Sequence, residues 1–430
     1  MANNNFCCKC KTGQATIRIR HAFYCHDCFL FAVVGKYRTI LGKSRSMNRA
    51  KGKVLLACSG GPSSISMLHM TKEFMHVEPY AKKKIQVLDS ALVCHIDESA
   101  LFEAQNGSTQ KMKEMVEKEF PNMDFLSSSM QDIFLKDFTK DADLDTVLKG
   151  MDGSSDYDYL VKPIKQESTL NSETDRIDRL RELFNGINKN TAKEDLYWHI
   201  KMTMLVTLAK KEGCSYIFMG DTATRQAIKM ISMTGKGRGY SIPFDIGVEN
   251  DITFPGLTIL RPMKDMLSKE IGLYNRFKDL EKYVIPPTDF NTGKPAKSSI
   301  ERLTEEFITT LDRDFPSTVS TISRTASKLT PLNDMDLSKK CAICNMPYQA
   351  GIEDWRRRIT VTNVKDKSPD AIPNEEKKKL DDSMIDMNEY LCYSCQVDMK
   401  DYKNDTVSRL PPYSVKAILD EYLINDNDEE

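Results

Sequence analysis

An apolar stretch at residues 54–57 runs directly into a loop of small residues and then into a helix-like pattern, and this transition most limits the folds open to the chain. A buried strand, a Gly-rich loop and a helix together form the opening unit of α/β folds with a parallel sheet. Such glycines let backbone N–H groups approach an anion, and the helix N-terminus adds a positive partial charge. The candidate phosphate-binding residues are Ser59, Gly60, Gly61, Ser63 and Ser64. The same composition occurs in turns that bind no ligand, so the local pattern leaves both interpretations open.

Two further strand-like stretches end in polar residues that would face the same edge of such a sheet. Residues 90–97 end in His95 and Asp97, and residues 214–220 lead into Asp221. Because parallel sheets bind ligands at the carboxyl ends of their strands, Asp97 and Asp221 are candidate ligand-binding residues. We interpret His95 as a structural histidine, and Asp221 or the next residue could instead cap a helix. The pattern predicts a Rossmann-like α/β core over residues 54–330, with a flexible insertion at residues 140–174 where apolar content falls.

Four cysteines near the N-terminus have the spacing of a metal site. Cys7, Cys10, Cys25 and Cys28 form the pattern C-x2-C-x14-C-x2-C. Two such knuckles, joined by a hairpin-sized segment, place four thiolates around Zn²⁺, although buried cysteines without metal remain the alternative. Four cysteine ligands leave no open coordination position. We therefore expect a structural zinc module at residues 1–30.

A second set of cysteine pairs lies in the C-terminal region, residues 331–430. It consists of Cys341, Cys344, Cys392 and Cys395, with 47 residues between the two pairs. That separation is long for a zinc ribbon, but residues 365–382 are charged and contain proline, so they can loop out as a disordered segment. We predict a second structural zinc module, followed by an acidic tail.

The formal net charge of −1 conceals local segregation of charge, so any contact with nucleic acid must be a patch. Residues 31–53 combine a helical apolar stripe with many basic residues and predict a basic helical connector. We take Arg38 and Arg45 there, and Lys236 and Arg238 in a segment of alternating glycines, as candidate contacts to a phosphate backbone. A solvated basic surface without a ligand is the competing interpretation.

The chain has no run of about 18 apolar residues, and its first residues lack the pattern of a secretory signal. We therefore expect a cytoplasmic protein with no membrane contact. In a reducing compartment, twelve cysteines arranged largely in pairs favour metal ligation over disulfides.

The loop at residues 59–64 resembles the pyrophosphate loop of the ATP-pyrophosphatase superfamily, except that Ser63 stands where the usual motif has Asp. The order of the cysteine modules, this loop and the other strand-end motifs resembles the cytoplasmic tRNA 2-thiolation protein 2 family, the second subunit of the eukaryotic wobble-uridine thiolase. The resemblance implies a sheet of the adenine-nucleotide alpha-hydrolase type. It also implies a complex that adenylates the wobble uridine, position 34, of cytosolic tRNA and replaces its C2 oxygen with sulfur from a thiocarboxylated ubiquitin-like carrier.

The catalytic relatives carry core cysteines in two stretches that match residues 194–201 and 282–287, and neither stretch contains a cysteine here. Ser63 also lacks the charge with which a carboxylate could hold Mg²⁺. Cys58, Cys94 and Cys214 lie in apolar strand patterns and are interpreted as packing residues. The resemblance thus implies a non-catalytic subunit that forms a heterodimer with a catalytic homologous subunit and helps to hold tRNA, with ATP and Mg²⁺ binding weakened or lost.

Two other functions stay open at this point. The chain could be a self-sufficient ATP-dependent tRNA thiolase or ligase that uses the altered loop and another nucleophile. It could also be a zinc-stabilised RNA-binding scaffold outside thiolation.

Overall fold

The structure, a computed structural model, describes residues 6–49, 51–75, 88–135, 138, 172–315, 317–331, 335, 337–348, 351–352, 355, 358, 390–403, 406 and 409–419. The chain divides into two compact units, Met1–Met130 with Ile200–Pro331 and Gln131–His199 with Leu332–Glu430. The predicted insertion at residues 140–174, apart from its last three residues, lies outside the described residues. So do the predicted disordered loop at residues 365–382 and the acidic tail. The division into two zinc modules, a connector and a core stays a prediction.

The first unit begins with a small antiparallel hairpin followed by a long helix. Strands β1 (Ile17–Ile19) and β2 (Ala22–Tyr24) pair with Ile17 opposite Tyr24. Helix α1 (His26–Lys43) follows, and then the short helix α2 (Arg45–Arg49). The predicted apolar stripe of this segment is confirmed, because the buried residues of α1 are Phe29, Val33, Tyr37, Ile40 and Leu41.

A six-stranded sheet forms the centre of the first unit in the described part of the chain. Its strands are β3 (Gly52–Ala57), β4 (Leu88–Asp97), β5 (Asp124–Ser129), β6 (Tyr216–Phe218), β7 (Glu249–Asn250) and β8 (Thr258–Leu260). The spatial order is β5-β4-β3-β6-β8-β7, and all neighbours are parallel except β7 with β8. Val54 in β3 lies opposite Ala91 in β4 and Tyr216 in β6. The strand order therefore reverses between β3 and β6, which is where doubly wound sheets bind their ligands.

Eleven further α-helices occur in the described residues and are distributed over the two units. They are α3 (Pro62–Met75), α4 (Ser108–Glu119), α5 (Glu173–Asn185), α6 (Asn190–Lys211), α7 (Ala223–Gly235), α8 (Ile242–Ile246), α9 (Ser268–Phe277), α10 (Ile300–Asp314), α11 (Thr318–Ala326), α12 (Tyr393–Met399) and α13 (Pro412–Leu419). Their starts follow from local sequence. Pro62 stands at the first position of α3, where its missing N–H is harmless, and the Ser299 side chain accepts a hydrogen bond from the Arg302 N–H to cap α10.

The core of the first unit joins α1 and α3 to the sheet and to α9. Val54 and Leu56 of β3 are fully buried together with Tyr37 of α1 and Tyr274 of α9. The Tyr37 hydroxyl lies 2.6 Å from Oγ1 of Thr71, so its polar end is satisfied inside the core. Helix α1 therefore packs in the same unit as the loop at residues 59–64, which we name the pyrophosphate-type loop.

In the second unit, two distant segments of the chain meet at Gly186. The N–H of Lys403 and the hydroxyl of Thr406 both donate to the Gly186 carbonyl, at 2.9 and 3.2 Å. A Cβ at Gly186 would lie 2.0 Å from the Thr406 hydroxyl oxygen, so only glycine permits this approach. This contact explains why residues 172–199 group with the C-terminal segment.

Among the described residues, no helix has the length and apolar character needed to cross a membrane.

Candidate functional site

The pyrophosphate-type loop connects β3 to α3 at the point where the strand order reverses. Gly60 adopts the left-handed conformation with φ of +80°, which favours glycine. The N–H groups of Ser63 and Ser64 belong to the first turn of α3 and have no partner within the helix. The Ser64 hydroxyl donates to the Gly61 carbonyl at 2.9 Å, and the Ser59 hydroxyl lies 3.5 Å from the Gly61 N–H. The backbone thus has the form of an anion-binding loop.

The loop that follows β6 lies directly against this one. A Cβ at Gly220 would stand 3.3 Å from the Ser64 backbone nitrogen, so the absence of a side chain allows the close approach. Thr222 caps α7 by accepting a hydrogen bond from the Arg225 N–H. The expectation that the two loops share one edge of the sheet agrees with this geometry, and Thr222, not Asp221, is the capping residue.

A segment that we name the strap, residues 281–288, crosses over the loop. The Ile285 N–H donates to the Gly60 carbonyl at 2.9 Å, and a Cβ at Gly60 would lie 2.8 Å from Cδ1 of Ile285. Three more hydrogen bonds hold the strap. The Tyr283 hydroxyl donates to Glu119, and the Gln105 side chain donates to the Pro286 carbonyl at 3.0 Å and to the Thr288 hydroxyl at 3.1 Å. The strap therefore places an apolar side chain against the loop.

The candidate carboxylate Asp97 is engaged by neighbouring residues. Its Oδ1 accepts from the Ser99 N–H at 2.8 Å and its Oδ2 from the Thr109 hydroxyl at 2.6 Å. Burial alone would raise the pKa of Asp97, but these two hydrogen bonds lower it. Asp97 thus stabilises the turn into α4.

The second candidate carboxylate, Asp221, is buried in an ion pair. Its Oδ2 lies 2.8 Å from Nζ of Lys229 and 3.5 Å from Nε of Arg261. Burial tends to raise the pKa of Asp221, but the two cations lower it, so the carboxylate stays charged. The sequence analysis did not identify Lys229 and Arg261 as partners of Asp221, because they approach it only once α7 and β8 have packed in the folded chain. With both candidate carboxylates engaged, their assignment to nucleotide or Mg²⁺ binding stays a prediction.

The histidine and the three cysteines of the core, His95, Cys58, Cys94 and Cys214, agree with a structural role. His95 is buried, with Nδ1 2.9 Å from the Cys58 carbonyl and Nε2 3.3 Å from the Ser108 hydroxyl. Burial raises the pKa of Cys58 and of Cys214 to about 11 and that of Cys94 to about 12. At neutral pH these thiols are protonated, whereas a sulfur nucleophile acts as the thiolate.

The N-terminal cysteines converge as the spacing predicts. The Sγ atoms of Cys7, Cys10, Cys25 and Cys28 all lie within 4.8 Å of one another. Those of Cys10 and Cys25 are 3.8 Å apart, which matches the separation of about 3.8 Å that follows from Zn–S bonds of 2.3 Å in a tetrahedron. Hydrogen bonds from the Gly13 N–H, 3.3 Å from Sγ of Cys10, and from Thr12 lower the pKa of the Cys10 thiol to about 6 and favour the thiolate. This group could hold a single metal ion such as zinc.

The C-terminal cysteines form a second, fully buried group. Cys341, Cys344, Cys392 and Cys395 have Sγ atoms within 4.8 Å of one another, and those of Cys344 and Cys392 are 3.9 Å apart. The donor set again fits one tetrahedral ion such as zinc. The long connection between the pairs does not prevent them from meeting.

The four basic residues predicted to contact nucleic acid differ in exposure. Arg38 and Arg45 are exposed on α1 and α2. Lys236 is 3.6 Å from Glu301 with only 8% of its side chain exposed, and Arg238 is 3% exposed. The expectation that Lys236 and Arg238 face a phosphate backbone is therefore corrected. The turn at the end of α7 buries Lys236 and Arg238, and Lys236 forms an ion pair with Glu301 of α10.

Comparisons with known proteins agree with these features. The family model for cytoplasmic tRNA 2-thiolation protein 2 matches residues 299–397. The protein of that name from Danio rerio is 27% identical over 494 residues, covering 99% of this chain and 95% of the relative. The 2-A form from Xenopus laevis is 30% identical over 387 residues, covering 80% of this chain and 73% of the relative.

Among solved structures, the U34-tRNA thiolase NcsA from Methanococcus maripaludis with its [4Fe-4S] cluster covers 78% of this chain and 93% of its own, with a TM-score of 0.50 and 16% identity. At that identity the likeness establishes the fold alone, and the predicted α/β fold with a parallel-rich sheet is confirmed. The whole-chain relatives confirm the resemblance found in the sequence, and the chain belongs to the cytoplasmic tRNA 2-thiolation protein 2 family.

Proposed function

We propose that this protein acts in 2-thiolation of the wobble uridine of cytosolic tRNAs, as a subunit that does not itself transfer sulfur. It works with a catalytic homologous subunit, which adenylates the uridine and transfers sulfur from a thiocarboxylated ubiquitin-like carrier bound by the complex. Family membership supports the role in thiolation, and the likeness to a U34-tRNA thiolase agrees with it.

One observation carries the proposal that the subunit is non-catalytic. The loop retains the backbone of a pyrophosphate loop, but the strap places Ile285 against Gly60, in a stretch where the catalytic relatives are expected to carry a cysteine. The candidate carboxylates near the loop are occupied by Thr109 and Lys229. The thiols of Cys58 and Cys94 are buried and protonated at neutral pH, so neither of them is suited to act as a sulfur nucleophile.

The two cysteine groups support a structural contribution of metal to this role. A site with four thiolates leaves no position for substrate, so an ion bound there would stabilise the fold without taking part in the reaction. We propose zinc for both groups.

The experiment is to measure 2-thiouridine nucleosides by mass spectrometry in tRNA from cells that lack this gene. We expect the thiolated nucleoside to be lost, and to return when the wild-type gene is restored. Unchanged thiolation would refute the role in this pathway and would favour the RNA-binding scaffold.

A second measurement separates the subunit from a self-sufficient enzyme. The purified chain, without its homologous partner, is given ATP and tRNA, and AMP formation is followed. We expect no AMP above background. AMP formation above background by the chain alone would identify a self-sufficient enzyme.

A further inference from the structure

Helix α1 presents one aromatic ring almost entirely to solvent. Phe31 is 69% exposed, the highest value among the large apolar side chains in the described part of the chain. The Nζ atom of Lys9 lies 4.1 Å from the centroid of the ring. Lys9 lies between Cys7 and Cys10 in the first cysteine knuckle, and its backbone N–H donates to Sγ of Cys7 at 3.4 Å, so the knuckle places the Lys9 backbone near the ring. The ring keeps most of its surface open even with this cation beside it.

The N-terminal segment that carries Phe31 is strongly basic, in contrast to the nearly neutral chain. Residues 1–53 contain eleven Lys and Arg residues and a single acidic residue, Asp27. Two of the basic residues, Lys36 and Lys53, form salt bridges with Glu270 and Glu212. Four others are exposed and have no ion-pair partner within the described ranges, namely Lys11, Arg38, Lys43 and Arg45.

The helix face that carries Phe31 is also unusually flat. Gly35, Arg38 and Gly42 follow Phe31 at spacings of four, seven and eleven residues, so they share its side of α1. A Cβ at Gly35 or at Gly42 would meet no atom within 4 Å. Internal packing therefore does not require these glycines, although each weakens the helix by about 1 kcal/mol relative to alanine. They leave room for a large group to lie against the helix.

The charges near Phe31 indicate what kind of ligand binds this face of α1. The cation of Lys9 lies against the Phe31 ring, and Arg38 lies two turns farther along the same face of α1. Asp27, one turn before Phe31, is the single acidic residue of this segment, so the basic side chains outnumber it. Basic side chains match a phosphate backbone, and an exposed ring between them matches an unpaired base, which stacks on aromatic side chains in single-stranded RNA recognition.

We propose that Phe31 is a stacking platform for an unpaired base of the bound tRNA, with Lys9 and Arg38 contacting nearby phosphates and Arg45 contacting a phosphate farther along the same RNA. This inference rests on the proposed function in taking tRNA as the RNA that is bound. It adds the binding residue and the kind of nucleotide that the residue recognises.

The test measures the affinity of the purified full-length chain by fluorescence anisotropy. One probe is an unmodified transcript of a tRNA with uridine at position 34, and the other is an RNA duplex without unpaired bases. Phe31→Ala should raise the Kd for the tRNA roughly tenfold, because stacking contributes about 1–3 kcal/mol per base. The Kd for the duplex should change less than about twofold, since a paired base cannot stack on the ring.

Matched variants separate stacking from charge and from general aromatic exposure. Phe31→Trp should keep the affinity for tRNA, because tryptophan also stacks. Phe307→Ala removes another exposed ring, 53% exposed on α10, and should leave affinity unchanged. Arg45→Ala should weaken both probes and lower the slope of log Kd against log salt by about one, whereas Phe31→Ala should leave that slope unchanged.

An unchanged tRNA affinity in Phe31→Ala would overturn the inference. If that variant also lost its association with the homologous subunit, this face would be a protein contact. If thiolation is lost in cells lacking the gene but Phe31→Ala binds tRNA normally, the proposed function stands and this inference fails. If Phe31→Ala weakens tRNA binding while those cells keep their thiolation, the inference stands and the proposed function fails.

Discussion

The contact between the strap and the pyrophosphate-type loop predicts an unusually large effect of a small substitution, Gly60→Ala. Gly60 has φ of +80°, where a residue with a Cβ costs about 1–2 kcal/mol. The new Cβ would also lie 2.8 Å from Cδ1 and 3.0 Å from Cβ of Ile285. Overpacking of this kind costs about a further 1–3 kcal/mol. We therefore expect Gly60→Ala to lower the free energy of unfolding by about 3 kcal/mol.

Gly107 provides the matched control, because it has nearly the same backbone conformation without the steric contact. Its φ is +77°, and a Cβ there would meet nothing within 4 Å. Gly107→Ala should cost only the backbone component, about 1–2 kcal/mol. At about 2–4 °C per kcal/mol, thermal unfolding followed by circular dichroism should separate the two variants by several degrees.

A double-mutant cycle isolates the contact itself. Ile285→Ala removes the Cδ1 and Cγ1 atoms that crowd Gly60, so Gly60→Ala should cost about 1 kcal/mol less in that background. Equal costs in both backgrounds, or equal effects of Gly60→Ala and Gly107→Ala, would refute the packing of the strap against the loop.

Three further predictions concern metal, pH and buried charge. Cys344→Ser should reduce bound zinc from two ions per chain to one, while Cys8→Ser, outside both clusters, should leave two. Metal analysis of the purified variants checks this, and equal zinc in both would contradict it. Burial would raise the pKa of Glu301, but Arg225 and Lys236 outweigh it and lower the pKa from 4.5 to about 2. The stability from Glu301, about 3 kcal/mol, is therefore present above pH 4.5 and lost as the pH falls toward 2. In urea unfolding, the free energy of unfolding of Glu301→Gln should fall less between pH 4.5 and pH 2 than that of the wild type. An equal fall in both proteins would contradict this contribution of Glu301. Asp221→Asn should lower the free energy of unfolding by about 3–5 kcal/mol, because it leaves Lys229 buried without its counter-charge. Adding Lys229→Met should restore part of that loss in urea unfolding, and no recovery would argue against the pair.

The features that the sequence predicted correctly are those set by local pattern. The apolar residues of α1 recur at helical spacing, and Phe29, Val33, Tyr37, Ile40 and Leu41 are buried. The cysteine groups follow from fixed pair spacing, and the strand and loop at residues 52–61 follow from an apolar run that ends in glycines.

The features that the sequence did not predict depend on contacts between distant segments. Nothing local to Asp221 indicates that Arg261, forty residues later, neutralises it, because the contact arises from the parallel pairing of β6 with β8. Lys236 and Arg238 have the composition of a basic surface loop, and their burial follows from the turn at the end of α7. The strap has no regular pattern of its own and is positioned by hydrogen bonds to Gly60, Glu119 and Gln105.

The most direct test of the central claim is a reconstituted thiolation assay. Purified chain, its catalytic homologous subunit, ATP, tRNA and the thiocarboxylated carrier are combined, and 2-thiouridine is measured by mass spectrometry with each protein omitted in turn. We expect the nucleoside only when both subunits are present, because this chain supplies binding and its partner supplies the sulfur chemistry. Sustained formation of 2-thiouridine by this chain without its partner would contradict the account.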